Sequence, residues 1–107
     1  MANNFKNAFK TATDAYQDLY EAPSSTTTVI LGLALCNKSA SAVTVTVQIQ
    51  DAGSTPYQVL EQVSIPARTT LEVLAGQKYI LETTDTVRIL AGTTGQIDAT
   101  LGIMEIT

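Results

Sequence analysis

From Ser24 onward, apolar and polar side chains alternate with a period of two, and Thr and β-branched residues are enriched. That alternation is the mark of strands buried on one face. The clearest run is Ala42 to Asp51, where Val43, Val45, Val47 and Ile49 share one side and Thr44, Thr46, Gln48 and Gln50 the other. The pattern assigns the aliphatic set to a core and the polar set to solvent. A one-residue slip would turn all four aliphatic side chains into water, so the register is firmly specified. Thr28 to Cys36 breaks the rule, with Val29, Leu31, Leu33 and Leu35 on one side and Ile30, Ala34 and Cys36 on the other. A strand apolar on both faces belongs at the centre of a sheet or beneath another subunit.

Turn-forming residues at Asn37 to Ser41, Ala52 to Pro56, Pro66 to Arg68, Ala75 to Gln77, Thr83 to Asp85 and Gly92 to Gly95 divide the remainder. Between them the pattern predicts strands at Tyr57 to Ile65, Thr70 to Leu74, Tyr79 to Glu82, Thr86 to Ala91 and Gln96 to Ile106. Residues 22–107 therefore read as an all-β domain, an antiparallel β-sandwich of jelly-roll type with about seven strands. A parallel α/β sheet is excluded because each crossover would need a helix, and no segment here suits one.

Residues 1–21 read differently. Phe5, Phe9, Ala12, Tyr16 and Leu19 recur at steps of three and four, the spacing of one helical face. Thr11, Thr13 and the nearby Pro23 oppose a helix, and an isolated one of this length is marginal in water. Two expectations follow: an N-terminal arm satisfied by another subunit, or a short helix packed on its own sandwich. In the arm reading Phe5, Phe9 and Tyr16 are the partner contacts.

Composition narrows the chemistry. The 107-residue chain has no His, no Trp and a single Cys, which removes the commonest general base, the usual zinc sites and any intrachain disulfide. The net charge is −4, and the six basic residues are scattered, so neither nucleic acid nor a membrane surface is an expected partner. Residues 1–12 carry Lys6 and Lys10 but no apolar stretch of a secretory signal. Cys36 lies in the most apolar strand with no imidazole to activate it and reads as a small hydrophobe. Asp51, Asp85 and Asp98 are too dispersed for a calcium loop, and Asp85 reads as a turn former. Asn37-Lys38-Ser39 matches a glycosylation acceptor, read as a chance match in the absence of a secretory signal. Gly92-Thr93-Thr94-Gly95 reads as a hairpin connection because no helix follows it. No residue is expected to be catalytic, to hold a metal or cofactor, or to bind a small-molecule substrate.

The run Leu19-Tyr20-Glu21-Ala22-Pro23, followed by Val29 to Asn37, resembles a recurrent pattern in small virion proteins of tailed bacteriophages. Ser64-Ile65-Pro66-Ala67, Leu81 to Asp85 ahead of Val87-Arg88-Ile89, and Gly102-Ile103-Met104-Glu105-Ile106 are similar to that group as well, so the likeness spans residues 16–107. An arm plus a compact sandwich suits a fibre joint at the neck, collar or tail, on the exterior of a particle assembled in the host cytoplasm. The resemblance itself implies a non-enzymatic structural β-sandwich of the virion without giving its place there. It implies self-association, with a trimer favoured, and contact with other virion proteins. A capsid decoration (cement) protein is the alternative, and a host-surface or carbohydrate-binding module a second one. The arm ahead of Tyr16 falls outside the shared pattern.

Overall fold

The computed structural model describes residues 2–107 and contains nine strands: β1 (Asn3–Thr11), β2 (Gln17–Glu21), β3 (Thr27–Asn37), β4 (Val43–Gln50), β5 (Pro56–Ile65), β6 (Thr70–Glu72), β7 (Tyr79–Leu81), β8 (Thr86–Ala91) and β9 (Ile97–Ile106). They form two antiparallel sheets. One is ordered β1-β9-β3-β6, with β7 also on β3; the other is ordered β2-β8-β4-β5.

The connectivity is that of an antiparallel ribbon rolled on itself. β4 pairs β5 across the turn at residues 51–55, β3 pairs β6 and β7, β2 pairs β8, and β1 pairs β9, each pair nested inside the next. Rolling adds the β3–β9 and β4–β8 pairings and places successive pairs in opposite sheets. This is the jelly-roll arrangement. β6 and β7 are two halves of one edge strand, set against opposite ends of β3.

The alternation read in β4 holds for Val43, Val45 and Val47, which lie in the core with Leu35, Ile65, Leu81, Ile89, Ile97 and Leu101. Each such side chain contributes roughly 1.5–3 kcal/mol of burial. The opposite face of β4 corrects the expectation, because Thr46 is only 3 % exposed and Gln48 is buried too. β5 bulges here, with Val45 opposite Val63 but Val47 opposite Leu60. Gln62 takes a positive φ of 49° and donates its N–H to Thr46 Oγ1 at 3.1 Å, so the threonine plugs the bulge.

β3 also departs from strict alternation. Pairing with β9 passes from Ile30–Ile103 to Gly32–Gly102, leaving Leu31 as the extra residue. The bulge turns Ile30, Leu33 and Leu35 inward together and sends Leu31 out to solvent, against the grouping of Leu31 with Leu33 and Leu35.

Residues 3–11 form a strand and not a helix. Steps of four fit both periods, and the ladder along β9 pairs alternate residues of a backbone that an isolated short helix would leave frayed. The Gly92 to Gly95 segment joins β8 in one sheet to β9 in the other, so it is a crossover between sheets and not a hairpin. Gly92 donates to the Thr44 carbonyl at 2.9 Å and Gly95, at φ 84°, to the Ala12 carbonyl at 3.0 Å.

Candidate interaction surface

The outward face of the five-stranded sheet covers no core, yet much of it is apolar. In β1 the odd-numbered residues Phe5, Asn7, Phe9 and Thr11 point outward, while Ala8 packs against the core. Phe5 is 72 % and Phe9 69 % exposed. Cross-strand register extends this into a row: Phe5 opposite Met104, Met104 opposite Val29, and Val29 opposite Ile80, which is 56 % exposed. Leu31, expelled by the β3 bulge, adds to the same face. A contiguous exposed apolar surface of this kind is a contact site more often than a solvent boundary.

Gly32 and Gly102 sit side by side in the next row, and neither is demanded by its surroundings. A Cβ at Gly32 would meet nothing within 4 Å, and one at Gly102 would be 3.7 Å from Asn7 Oδ1. Their effect is a shallow trough of about 260 Å³ bordered by Phe5, Asn7 and Leu31. Beyond it the face turns polar: Thr11 donates its hydroxyl to Asp98 at 2.8 Å, and Lys38 Nζ lies 3.2 Å from the same oxygen. The Thr11 hydroxyl, and after it Lys38, hold the Asp98 carboxyl below the usual carboxylate range. Cys36 lies in this row, half-buried, between Thr70 and Asp98.

The structure thus puts Phe5 and Phe9 on one face of β1 and separates Tyr16 from them. Tyr16 stands over Arg88, its ring centroid 5.1 Å from the guanidinium carbon. Arg88 Nη1 donates to Gln50 Oε1 at 2.8 Å and Gln48 Oε1 at 3.2 Å, and Gln48 Nε2 donates to Gln58 Oε1 at 2.7 Å. Arg88 Nε is 3.3 Å from Asp18 Oδ1 but is not aimed at it, so that pair is electrostatic and not a hydrogen bond. This network covers the outer face of the other sheet. Leu31, Met104 and Ile80 were not singled out as contacts by the sequence. The doubly apolar run from Thr28 to Cys36 was the available signal for Leu31, whereas a three-residue β7 is too short to display alternation.

A polar cluster fastens β1 beneath the apolar row. Glu105 points inward and is 5 % exposed. It accepts the Tyr20 hydroxyl, and Lys6 Nζ approaches at 2.9 Å; the Tyr20 oxygen is also 2.9 Å from Thr28 Oγ1. Four strands from both sheets meet there. The Tyr20 hydroxyl first, then Lys6, hold the Glu105 carboxyl below its ordinary range against the opposing effect of burial. Burial, reinforced by the hydrogen bond to Glu105, pushes the Tyr20 phenol up to about 12.

Asn37 is fully buried, and its Nδ2 donates to the carbonyls of Ser41 and Ile65 at 2.9 Å each, so the atom that would carry a glycan is engaged in the fold. The four tyrosines do not line one cleft: Tyr16 covers Arg88, Tyr20 binds Glu105, Tyr79 packs on the core and Tyr57 is exposed on β5. Among the described residues there is no cluster of three or more His, Cys, Asp or Glu side chains.

No family model and no curated protein matches the sequence. Solved structures match the fold. A chain of the acid-stable capsid of Helicobacter pylori bacteriophage KHP30 superposes with a TM-score of 0.59 at 10% identity, covering 100% of this chain and 89% of that one. A chain from the Bacillus endospore appendages, described as disulfide-linked pili, gives 0.58 at 16% identity over 97% and 84%. The Drosophila NLP core, a pentamer-forming histone binder, gives 0.53 at 12% identity over 99% and 98%. At these identities the likeness establishes a shared jelly-roll fold.

Proposed function

We propose that the chain is a non-enzymatic structural component of a tailed-phage virion, seated on the particle exterior through the outward face of its five-stranded sheet. The observation that carries this reading is the outward row Phe5–Met104–Val29–Ile80, exposed at Phe5 and Ile80 and half-buried between them, with exposed Leu31 beside it, on a face that hides none of the chain's own core. Covering it with a neighbouring protein releases water from apolar surface and needs no ligand or cofactor. The resemblance of residues 16–107 to small phage virion proteins supplies the particle and the self-association, and the neck, collar or tail location comes from reading an N-terminal segment plus a compact sandwich as a fibre joint. Fold likeness to a phage capsid chain over most of both lengths favours capsid decoration as the second reading.

Two measurements test the proposal. Band intensity relative to the major capsid protein in purified particles separates decoration, present in comparable amount, from a sparse neck or tail piece; absence from particles refutes both. Phe5→Asp and Ile80→Asp chains should fold and lose attachment to particles lacking the protein, while Tyr57→Asp on the opposite sheet should attach normally. Equal attachment by all three overturns the assignment of the face.

A further inference from the structure

We infer that β1 is a self-pairing edge, along which a second copy of this chain joins antiparallel, in a register centred on Asn7, to continue the sheet across a twofold axis. The inference rests on the reading of the chain as a self-associating structural subunit and specifies its contact.

The first observation is that, among the described sheet edges, β1 is the longest run interrupted by neither proline nor a bulge, its charges being Lys6 and Lys10. Exposed edges are normally blunted by shortness, proline, bulges or charge. β6 and β7 are three residues each; β2 is five residues with a bulge and carries Asp18 and Glu21; β5 begins at Pro56 and bulges twice. β1 runs nine residues without proline and without a register shift along β9, and no described strand covers its other side. Lys6, which could guard the edge, is drawn inward to Glu105.

The second observation fixes which backbone groups are free. Ala2 and Thr107 exchange both N–H···O bonds, at 3.2 and 3.0 Å, and Ala12 donates to Ile97 at 2.8 Å. With the unbroken register between them, the even-numbered residues of β1 face β9. The N–H and C=O groups of Asn3, Phe5, Asn7, Phe9 and Thr11 therefore point away from the sheet.

The third observation is that β1 is complementary to itself in one register. With Asn7 opposite Asn7 of the second copy, Phe5 faces Phe9, Asn3 faces Thr11, Lys6 faces Ala8 and Lys10 faces Asn4, so every free odd-numbered residue finds a partner. Two aromatic pairs form on the outer face, and no like charges are opposed. Moving the register by one pair in either direction sets Lys6 against Lys6 or against Lys10 and shortens the ladder. The chosen register also doubles the apolar row used for docking.

The experiment uses single cysteines in the Cys36→Ser chain. Opposed residues of a hydrogen-bonded pair lie about 5.5 Å apart between Cα atoms, within disulfide reach. Asn7→Cys should oxidise to a covalent dimer, Phe9→Cys alone should not, and an equimolar mixture of Phe5→Cys and Phe9→Cys chains should cross-link. Sedimentation equilibrium of the unmodified chain should give twice the monomer mass. Asn7→Pro, which removes an outward N–H and none donated to β9, should leave a folded monomer. Cross-linking indifferent to position, failure of Asn7→Cys to cross-link, or a monomer or trimer in sedimentation overturns the inference, while docking by Ile80 would stand.

Discussion

Tyr20→Phe isolates the polar cluster that binds the N-terminal strand to the sandwich. The substitution keeps the ring and removes one oxygen, which donates to Glu105 and also bonds Thr28. Glu105 is 5 % exposed and would retain Lys6, itself 54 % exposed along its side chain. A hydrogen bond to a buried charge contributes about 1.5–3 kcal/mol, whereas a half-solvated ion pair contributes about 0.5. Tyr20→Phe should therefore cost about 2 kcal/mol near neutral pH, lowering Tm by on the order of 10 °C, and Lys6→Ala several-fold less. The pH dependence gives the sign. Glu105 has a depressed folded pKa, so its contribution is full above the unfolded value of 4.5 and is lost as pH falls through the folded one. Tyr20 has a raised pKa, so its contribution is full below pH 10.0 and is lost as pH rises toward about 12. The stability gap between the two proteins, from urea unfolding at pH 3 to 11, should form a plateau that narrows at both ends. A gap independent of pH, or one smaller than that of Lys6→Ala, would refute the assignment.

Further outcomes follow from packing. Val45→Asp should abolish soluble folding, because a charge at a fully buried site costs several kcal/mol out of a total of about 5–15; a soluble cooperative fold by circular dichroism would contradict it. Thr46→Val should cost about 1–2 kcal/mol by orphaning the Gln62 N–H at the β5 bulge, despite its better β propensity, as read by thermal unfolding. Gly92→Ala should cost about 1–3 kcal/mol, since its Cβ would fall 2.5 Å from Thr44 Oγ1, and Thr44→Ala should restore most of that in a double-mutant cycle.

The sequence carried the seven strands after Ser24 because their periodicity is local: Thr86 to Ala91 was placed to the residue, and the others within a few positions. Two strands escaped because what makes them strands is distant. Phe5 and Phe9 are four apart, a step common to a helix face and to a strand face, and only the ladder to β9, nearly a whole chain away, decides between them. Asp85 was legible as a turn former, and it accepts the Glu82 N–H at 2.9 Å. Thr46 and Leu31 depart from the pattern because of bulges, one in β5 that covers Thr46 on its own face and one in β3 that turns Leu31 outward, and neither contains a proline or a positive-φ glycine to announce it. For the candidate surface, the doubly apolar β3 pointed to the sheet that carries the outward apolar row. Assembly of Phe5, Met104, Val29 and Ile80 into one row depended on three registers that no local pattern encodes.

The two outer faces differ in what a partner would have to displace. On the four-stranded sheet, Arg88, Gln48, Gln50 and Gln58 bind one another under the Tyr16 ring, so covering that face means dehydrating polar groups whose partners are already chosen. On the five-stranded sheet the same act removes water from Phe5, Ile80 and Leu31, which is favourable in itself. The face is also graded along the strands, from the apolar row at the Phe5 end to Thr11, Asp98 and Lys38 at the other. A partner with an apolar ridge bordered by charge therefore has one favourable orientation, because reversing it would bury the Asp98–Lys38 pair against hydrocarbon. Since these residues all point away from the core, the surface can be altered without disturbing the sandwich, and attachment and stability become separately measurable properties of the same strands.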